Sequence, residues 1–288
     1  MTALSQSASL TIDLFQQAAT ANLHTEGRQG NLVLLPFQPG GDVMVTADLH
    51  GNRENFAAIL QVANLGAHPH RHLVLQEVCH GGPSYPGKCA CKSHLMLEDI
   101  ARLKLEFPAQ VHFILSNHEL AEMTDYPIVK GNKLLNMMFR GGLHEEYGAG
   151  ACEVRDAQVA FLRSLPLGVR LPNEILITHS GPPAVDVQGF DTTIFERELQ
   201  PADFKEQGAA FQLVWGRDYR PENARAFAQL MDAKILIHGH DPCPTGCKVP
   251  NDTQIILDCC SRPAMYLLVP TDRPLTHAEL VKQIRPLP

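Results

Sequence analysis

Five runs of polar residues follow directly on apolar stretches, and each carries a group able to bind a metal ion or move a proton. Asp48-Leu49-His50-Gly51-Asn52 follows residues 43–47, and Gln76-Glu77 follows 73–75. Ser116-Asn117-His118-Glu119 follows 113–115, His179-Ser180-Gly181 follows 175–178, and His238-Gly239-His240-Asp241 follows 235–237. Carboxylate, carboxamide and imidazole groups form a mixed nitrogen and oxygen donor set. Such a set suits first-row divalent ions such as Mn, Fe, Zn or Ni better than it suits Ca. Alone, an Asp at a strand end is an ordinary helix cap and a His there an ordinary hydrogen-bonding residue. Five such groups, each after an apolar run, point to one shared site, because open α/β sheets bind ligands at the carboxyl ends of their strands.

The elements that must hold these groups are legible as an alternation of strand and helix signals. Strands are expected at 31–36, 42–47, 73–75, 111–115, 174–178 and 234–238, with 253–257 and 264–269 as a closing pair. Helices are expected at 12–21, 52–65, 94–105, from Glu119, and at 157–165 and 223–231. A last helix at 276–284 has Thr276 as N-cap and Glu279 as its capping-box partner. Gly, Pro, Ser and Tyr make 81–91 a loop. Residues 125–154 read as an excursion over the active face, and with 182–214 are expected to shape the cleft. No internal repeat, low-complexity tract or linker interrupts the chain. The expected organisation is a helical lead-in, 1–30, and a single domain, 31–288, of α/β class.

Composition narrows the function classes. The 288 residues are 44% hydrophobic and 19% charged, enough to bury a core and unlike a disordered chain. The formal charge of -7 argues against a basic nucleic-acid binder. No apolar run of about 18 residues exists, so no membrane helix is expected. No secretory signal is visible at the N-terminus, so the expected location is cytoplasmic. The eight cysteines then read as reduced thiols rather than a disulfide framework.

The ordered Asp-x-His-Gly, Asn-His-Glu, His-Ser-Gly and Gly-His elements give the chain a resemblance to the calcineurin-like metallophosphoesterase superfamily. It most resembles the bacterial-type phosphoprotein (Ser/Thr) phosphatase branch, over roughly residues 42–268. The resemblance implies a β-sandwich flanked by helices, a four-layer α/β/β/α arrangement, carrying two divalent metal ions. It places Asp48 and His50 on the first metal, Asn117, His179 and His240 on the second, and Glu77 at the bridging position. It makes His118 the general acid, Glu119 its support, and Arg217 in Trp215-Gly216-Arg217-Asp218 the phosphate-binding arginine, with Arg220 in reserve. It implies Mn as the working ion, Fe, Zn or Ni as others the site accepts, and a metal-bridging hydroxide as nucleophile. Two metals about 3.5–4 Å apart clamp a phosphoryl group and activate a water near neutral pH, so no Cys or Ser nucleophile is needed.

The second motif departs from the family's Gly-Asp-x-x-Asp-Arg-Gly, reading Gln76-Glu77-Val78-Cys79-His80-Gly81-Gly82. Glu77 replaces the bridging Asp, His80 the Asp that supports the acid, and Gly81 the phosphate-gripping Arg. Ser116 replaces the Gly that opens the third motif. His80 is open to two functional readings, orienting the substrate or orienting His118, and to that of an ordinary loop histidine. The expected function is hydrolysis of a phosphomonoester in a phosphoprotein or a small molecule. One alternative is a nucleotide or dinucleoside polyphosphate hydrolase with Tyr85, Tyr126, Phe139 and Tyr147 as base-stacking candidates. The other is a catalytically impaired binding protein. Partners are limited to the phosphorylated substrate, with neither nucleic acid nor membrane.

Two further clusters are weaker candidates. Cys89 and Cys91 with His80 and His94, joined by Cys243 and Cys247, would make a zinc site, although Cys-x-Cys is tighter than typical zinc pairs. His68, His70 and His72 read as a surface turn. His238 is expected to face the opposite side of its strand from a ligand position.

Overall fold

The apolar runs become strands buried on both faces, because each sheet is covered on one side by helices and on the other by a second sheet. The computed structural model describes residues 4–288; residues 1–3 of the expected lead-in lie outside it. In chain order the first elements are α1 (Gln6–Leu23), β1 (Arg28–Gln29), β2 (Leu32–Leu34), β3 (Asp42–Asp48), α2 (Arg53–Ala63), β4 (Arg71–Gln76), α3 (Ser93–Glu106) and β5 (Val111–Ile114). Next come α4 (Asn117–Thr124), β6 (Val129–Lys130), β7 (Lys133–Leu134), α5 (Leu135–Tyr147), α6 (Ala151–Arg163), β8 (Gly168–Leu171) and β9 (Ile175–Thr178). The remainder are α7 (Val185–Gln188), α8 (Ala209–Trp215), α9 (Pro221–Leu230), β10 (Ile235–His238), β11 (Cys247–Lys248), β12 (Gln254–Leu257), β13 (Met265–Pro270), α10 (His277–Val281) and β14 (Arg285–Pro286).

Two sheets share one core. The smaller has the order β14-β13-β3-β4-β5, and the larger β1-β2-β8-β9-β10-β12-β11. In the smaller, β3, β4 and β5 run parallel. In the larger, β9, β10 and β12 run parallel. The carboxyl ends of these parallel strands carry the polar runs, so the site is assembled from both sheets rather than along one edge.

Local chemistry sets the helix starts near the site. Asn52 caps α2 by accepting from the Asn55 amide at 3.0 Å. Helix α4 begins at Asn117 itself, directly after Ser116 as N-cap, which holds Asn117 and His118 at a helix N-terminus. The capping box of Thr276 and Glu279 forms as expected, although the helix ends at Val281.

Several expectations need correction. The strands at 253–257 and 264–269 are not a pair: β12 joins β10 in the larger sheet and β13 joins β3 in the smaller. Apolar pattern marks a strand but not its partner. Residues 125–154 are mostly helix, a short hairpin of β6 and β7 followed by α5 and the start of α6. Strand β8, four residues long and starting two residues after Pro166, falls where no strand is expected. The first helix starts six residues before 12, with Ser5 accepting from the Ala8 amide.

Helix α1 packs on α6 and α3. Phe15 and Phe161 meet with ring centroids 5.5 Å apart, both fully buried. Phe161→Ala should therefore lower stability by about 3–5 kcal/mol, the usual range for a buried Phe. Denaturant titration measures it, and a loss under 1 kcal/mol would show that α1 and α6 are not closely packed.

Candidate metal centre

The backbone at the site is held in unusual conformations. His50, Glu77, His80 and His240 all have positive φ, at 44°, 45°, 67° and 68°. Residues other than Gly, Asn and Asp rarely adopt this region, and each instance costs on the order of 1 kcal/mol or more. Surrounding hydrogen bonds impose it. The Leu49 and His50 amides both donate to the Glu77 carbonyl, at 2.8 and 3.0 Å. Glu119 accepts from the Val78 and Cys79 amides at 2.9 and 2.8 Å, fixing the loop that follows Glu77. The His240 amide donates to Asp48 Oδ1 at 3.0 Å. Gly239 permits that approach, since a Cβ there would lie 2.4 Å from the same oxygen.

Six of the sequence-predicted ligand residues converge. His50 Nε2 lies 2.9 Å from Glu77 Oε1, and His179 Nε2 lies 2.9 Å from Glu77 Oε2. Asn117 Oδ1 is 2.7 Å from His179 Nε2 and 2.9 Å from His240 Nδ1. Asp48 Oδ1 is 3.8 Å from His179 Nδ1. Two groups of donor atoms each fit around one point: His50, Glu77 and His118, and Glu77, His179 and His240. Glu77 belongs to both.

The donor chemistry fits cations. Gln76 donates its amide to Thr46 O at 2.8 Å, so its carbonyl oxygen faces His179 Nδ1, also at 2.8 Å. That oxygen requires a proton on Nδ1, so with an ion bound the Nε2 lone pair faces Glu77 Oε2 and Asn117 Oδ1. Without one, burial opposes a second proton there, but the Glu77 and Asp48 charges outweigh it and raise the His179 pKa. Three potential acceptors thus meet at contact distance whenever Nε2 carries no proton. Glu77 Oε2 is buried and receives no aligned hydrogen-bond donor. A buried acceptor without a donor is costly, and a divalent ion bound among these atoms would satisfy it.

Without ions, protons take over part of that task. Burial raises the Asp48 pKa to about 7, with the Glu77 charge adding to it. Burial opposes ionisation of His50, but the Glu77 charge and hydrogen bond and the Asp48 charge outweigh it and raise its pKa to about 9. Burial likewise works against Glu77, yet the surrounding His118, His179 and His50 hold its carboxyl well below the usual range. His118 is pulled down to about 3, chiefly by burial.

The open end is a cleft of about 490 Å³. Asp48, His50, Glu77, Asn117, His118 and His240 form its floor, and Gly81 and Gly82 one side. Ile128, Val129, Lys130 and Leu135, from the hairpin and its flanks, form another wall, and Arg217 also reaches it. Arg217 Nη2 donates to the His240 carbonyl at 3.0 Å. Arg220 instead pairs with Asp186 and Asp218 and does not line the cleft. The glycines of the second motif have a steric reason. A Cβ at Gly81 would sit 2.5 Å from the His50 carbonyl, and one at Gly82 would sit 2.3 Å from the Gly51 carbonyl.

Other candidates fall elsewhere. His238 is buried and turned to the Thr178 carbonyl, 3.1 Å from Nδ1. The two cysteine pairs with His80 and His94 form no metal-sized group among the described residues, because His80 pairs with His118 and His94 with Tyr85. All eight cysteines are free thiols. His72 pairs with His112 at 2.9 Å, while His68 and His70 are exposed. None of Tyr85, Tyr126, Phe139 and Tyr147 lines the cleft: Phe139 and Tyr147 are core residues, and Tyr126 packs on Phe211 and Trp215. Residues 182–214, expected to shape the cleft, do not reach it. Within 125–154, only 128–130 and Leu135 do.

Sequence reasoning missed Gln76 as the partner of His179, Glu122 behind His80, and Lys130 on the hairpin. Gln76 adjoins Glu77 at a strand end, and that adjacency was the available signal. Glu122 is buried by a helix whose register the sequence did not fix. Lys130 lies in a segment that carries no metal-ligand pattern.

A family model described as calcineurin-like phosphoesterase matches residues 41–244. The chain belongs to that family, a class of metal-dependent phosphoester hydrolases. No curated protein matches it in sequence. Among solved structures, the fold is similar to a serine/threonine phosphatase from Saccharomyces cerevisiae, described as similar to human phosphatase PP5. That likeness has a TM-score of 0.65 at 15% identity, covering 96% of this chain and 88% of the other. A cold-active protein-tyrosine phosphatase of a psychrophilic Shewanella species aligns with a TM-score of 0.54 at 13% identity, covering 92% and 85%. A second structure of a cold-active protein tyrosine phosphatase gives 0.53 at 15% identity, covering 84% and 77%.

The proton-filled site makes the stability of the metal-free chain depend on pH. A His whose folded pKa is raised stabilises fully below its ordinary 6.5, and that contribution is lost as pH rises through about 9. Asp48 acts in the same sense up to about 7. Lys104, lowered by burial to about 8, acts oppositely above that pH, so the useful window is pH 7–8. In chelator-treated protein, Tm should fall from pH 7 to 8 less in His50→Gln than in wild type. Equal slopes would show that His50 carries no extra proton.

Proposed function

We propose that this chain is a phosphomonoesterase working with two divalent ions, and that its substrate is a phosphorylated protein side chain. The observation that carries the reading is the single buried carboxylate of Glu77 shared by two donor groups. His50 and Glu77 of the first group would hold one ion with Asp48, leaving His118 of that group free as the acid, and Glu77, His179 and His240 of the second group would hold the other with Asn117. Mn, Fe, Zn and Ni all suit these donors, and Mn is the ion we assign. When bound, the ions supply charge for the phosphoryl oxygens and an activated water.

The chain's own residues do the rest. Arg217 lines the cleft with a guanidinium suited to phosphoryl oxygens, and Asp241 at 3.6 Å orients it. His118 protonates the leaving oxygen. It stands in the first turn of α4, lines the cleft, and has Nε2 3.9 Å from Glu77 Oε1. Ile128, Val129 and Leu135 offer an apolar wall to the leaving group. Placement of the aromatic side chains away from the cleft argues against the nucleotide alternative. The free thiols accord with a reducing compartment, and we place the protein in the cytoplasm.

Metal content and p-nitrophenyl phosphate turnover, measured on one Mn-supplemented sample, test this directly. Two ions per chain are expected, with turnover lost and metal content reduced in Asp48→Asn. One ion or none, without turnover across Mn, Fe, Zn and Ni, would overturn the reading in favour of a binding protein on this fold. A panel of phosphoserine, phosphothreonine and phosphotyrosine peptides against nucleotides then tests the substrate class, and a preference for nucleotides would refute the assignment.

His118 is separable from the ligands. His118→Asn should lower kcat by about 10²–10⁴-fold, the range for a lost general acid, with metal content unchanged. Loss of one ion together with activity would make His118 a ligand instead.

A further inference from the structure

His118 is one end of a buried chain of side chains that leads away from the cleft. His118 Nδ1 lies 2.9 Å from His80 Nδ1, and His80 Nε2 lies 3.1 Å from Glu122 Oε2. His80 and Glu122 are 2% and 1% exposed, so water does not compete for these contacts. Glu122 is itself surrounded by donors. Arg140 Nε and Arg155 Nε each lie 3.3 Å from Oε1, Asn136 Nδ2 lies 3.5 Å from Oε2, and Arg155 Nη2 donates to the Glu122 carbonyl at 3.1 Å.

We infer that Glu122 is a positioning residue that, acting through His80, fixes the tautomer of His118 and so decides which nitrogen faces the cleft without a proton. The inference rests on the role proposed above for His118. Each link follows from the donor and acceptor inventory. Two guanidinium groups leave Glu122 as an acceptor, so His80 Nε2 must donate to it. A neutral His80 protonated at Nε2 has a bare Nδ1, which needs a donor, and the atom opposite is His118 Nδ1. That atom therefore carries one proton, held on His80, and His118 Nε2 faces the cleft as a lone pair that must take a second proton from water before it can protonate a leaving oxygen. The other tautomer would set two lone pairs against each other at 2.9 Å. The competing acceptor, Glu77 Oε1, is 3.9 Å from His118 Nε2, beyond hydrogen-bond reach.

The same reasoning predicts an inversion. In Glu122→Gln the amide oxygen turns to Arg140 and Arg155, because an NH₂ there would face donors. The amide N–H then faces His80 Nε2, which becomes the acceptor. His80 takes its proton at Nδ1, and His118 must move its own to Nε2. One substitution at a residue that does not line the cleft thus reverses the face His118 presents to it.

Long-range ¹⁵N–¹H correlation spectra of ring-labelled, metal-free protein at pH 8 read this out, with His118 assigned by its loss in His118→Asn. The expected result is Nδ1–H for His118 in wild type and Nε2–H in Glu122→Gln. Nε2–H in wild type, or an unchanged tautomer in a folded Glu122→Gln protein, would overturn the proposal. The wild-type spectrum tests it even where the variant does not fold. Turnover of the Mn-loaded variant should fall about 10–100-fold with two ions retained, because His80 then offers N–H to His118 Nδ1 and the doubly protonated ring that acts as acid has no acceptor there. Reversal of the tautomer with full turnover would leave the Glu122 assignment standing and remove His118 from the reaction, which separates this inference from the reading of function.

Discussion

Glu77 is buried where two sheets meet, with His50 against one oxygen and no aligned donor for the other. An ionised carboxylate in that setting is expensive unless cations surround it. The molecule surrounds it with imidazoles from three directions, and these hold its charge in place at the expense of their own protonation balance. Much of the local architecture serves this arrangement. Left-handed backbone at His50, Glu77 and His240 turns short strand-end residues inward. Glu119, wholly buried, spends one of its oxygens on two amides of the loop after Glu77.

The centre also joins the two sheets. Asp48, His50 and Glu77 come from the smaller sheet, and His179 and His240 from the larger. Gln76 spans the gap, bonded to Thr46 on its own side and to His179 across it. The His240 amide to Asp48 is a second crossing. These contacts depend on the sheets keeping their relative positions. The shared core beneath, with Leu75, Ile177 and Ile237 fully buried, is what keeps them.

What the sequence made legible follows from range. Asp48, His50, Glu77, Asn117, His179 and His240 were readable because each stands just past an apolar strand, a pattern confined to a few residues. The capping box at Thr276 was readable for the same reason. The partnership of β12 with β10, and of β13 with β3, depends on which sheet buries each strand, and similar apolar runs fit either. Glu122 was hidden because its importance comes from His80, Arg140 and Arg155, which only tertiary packing brings together. The aromatic candidates failed because Phe139 and Tyr147 were needed in the core. His80 illustrates the boundary: its position suggested a link to His118, but choosing among its readings required the 2.9 Å contact.

The close passage of two backbones at Gly51, Gly81 and Gly82 bears on how such a centre can change over time. Any side chain at Gly81 collides with the His50 carbonyl, and any side chain at Gly82 with that of Gly51. Placing an arginine at 81, the residue the family resemblance leads one to expect there, is therefore not one substitution but a rearrangement of the segment that also sets His50. Each single replacement on that route passes through a chain whose His50 is displaced. The loop is thus held to glycine by its neighbours' geometry, and new contacts to substrate can arise more freely on other walls. The hairpin carrying Lys130 is the wall where side chains can be exchanged without moving the floor.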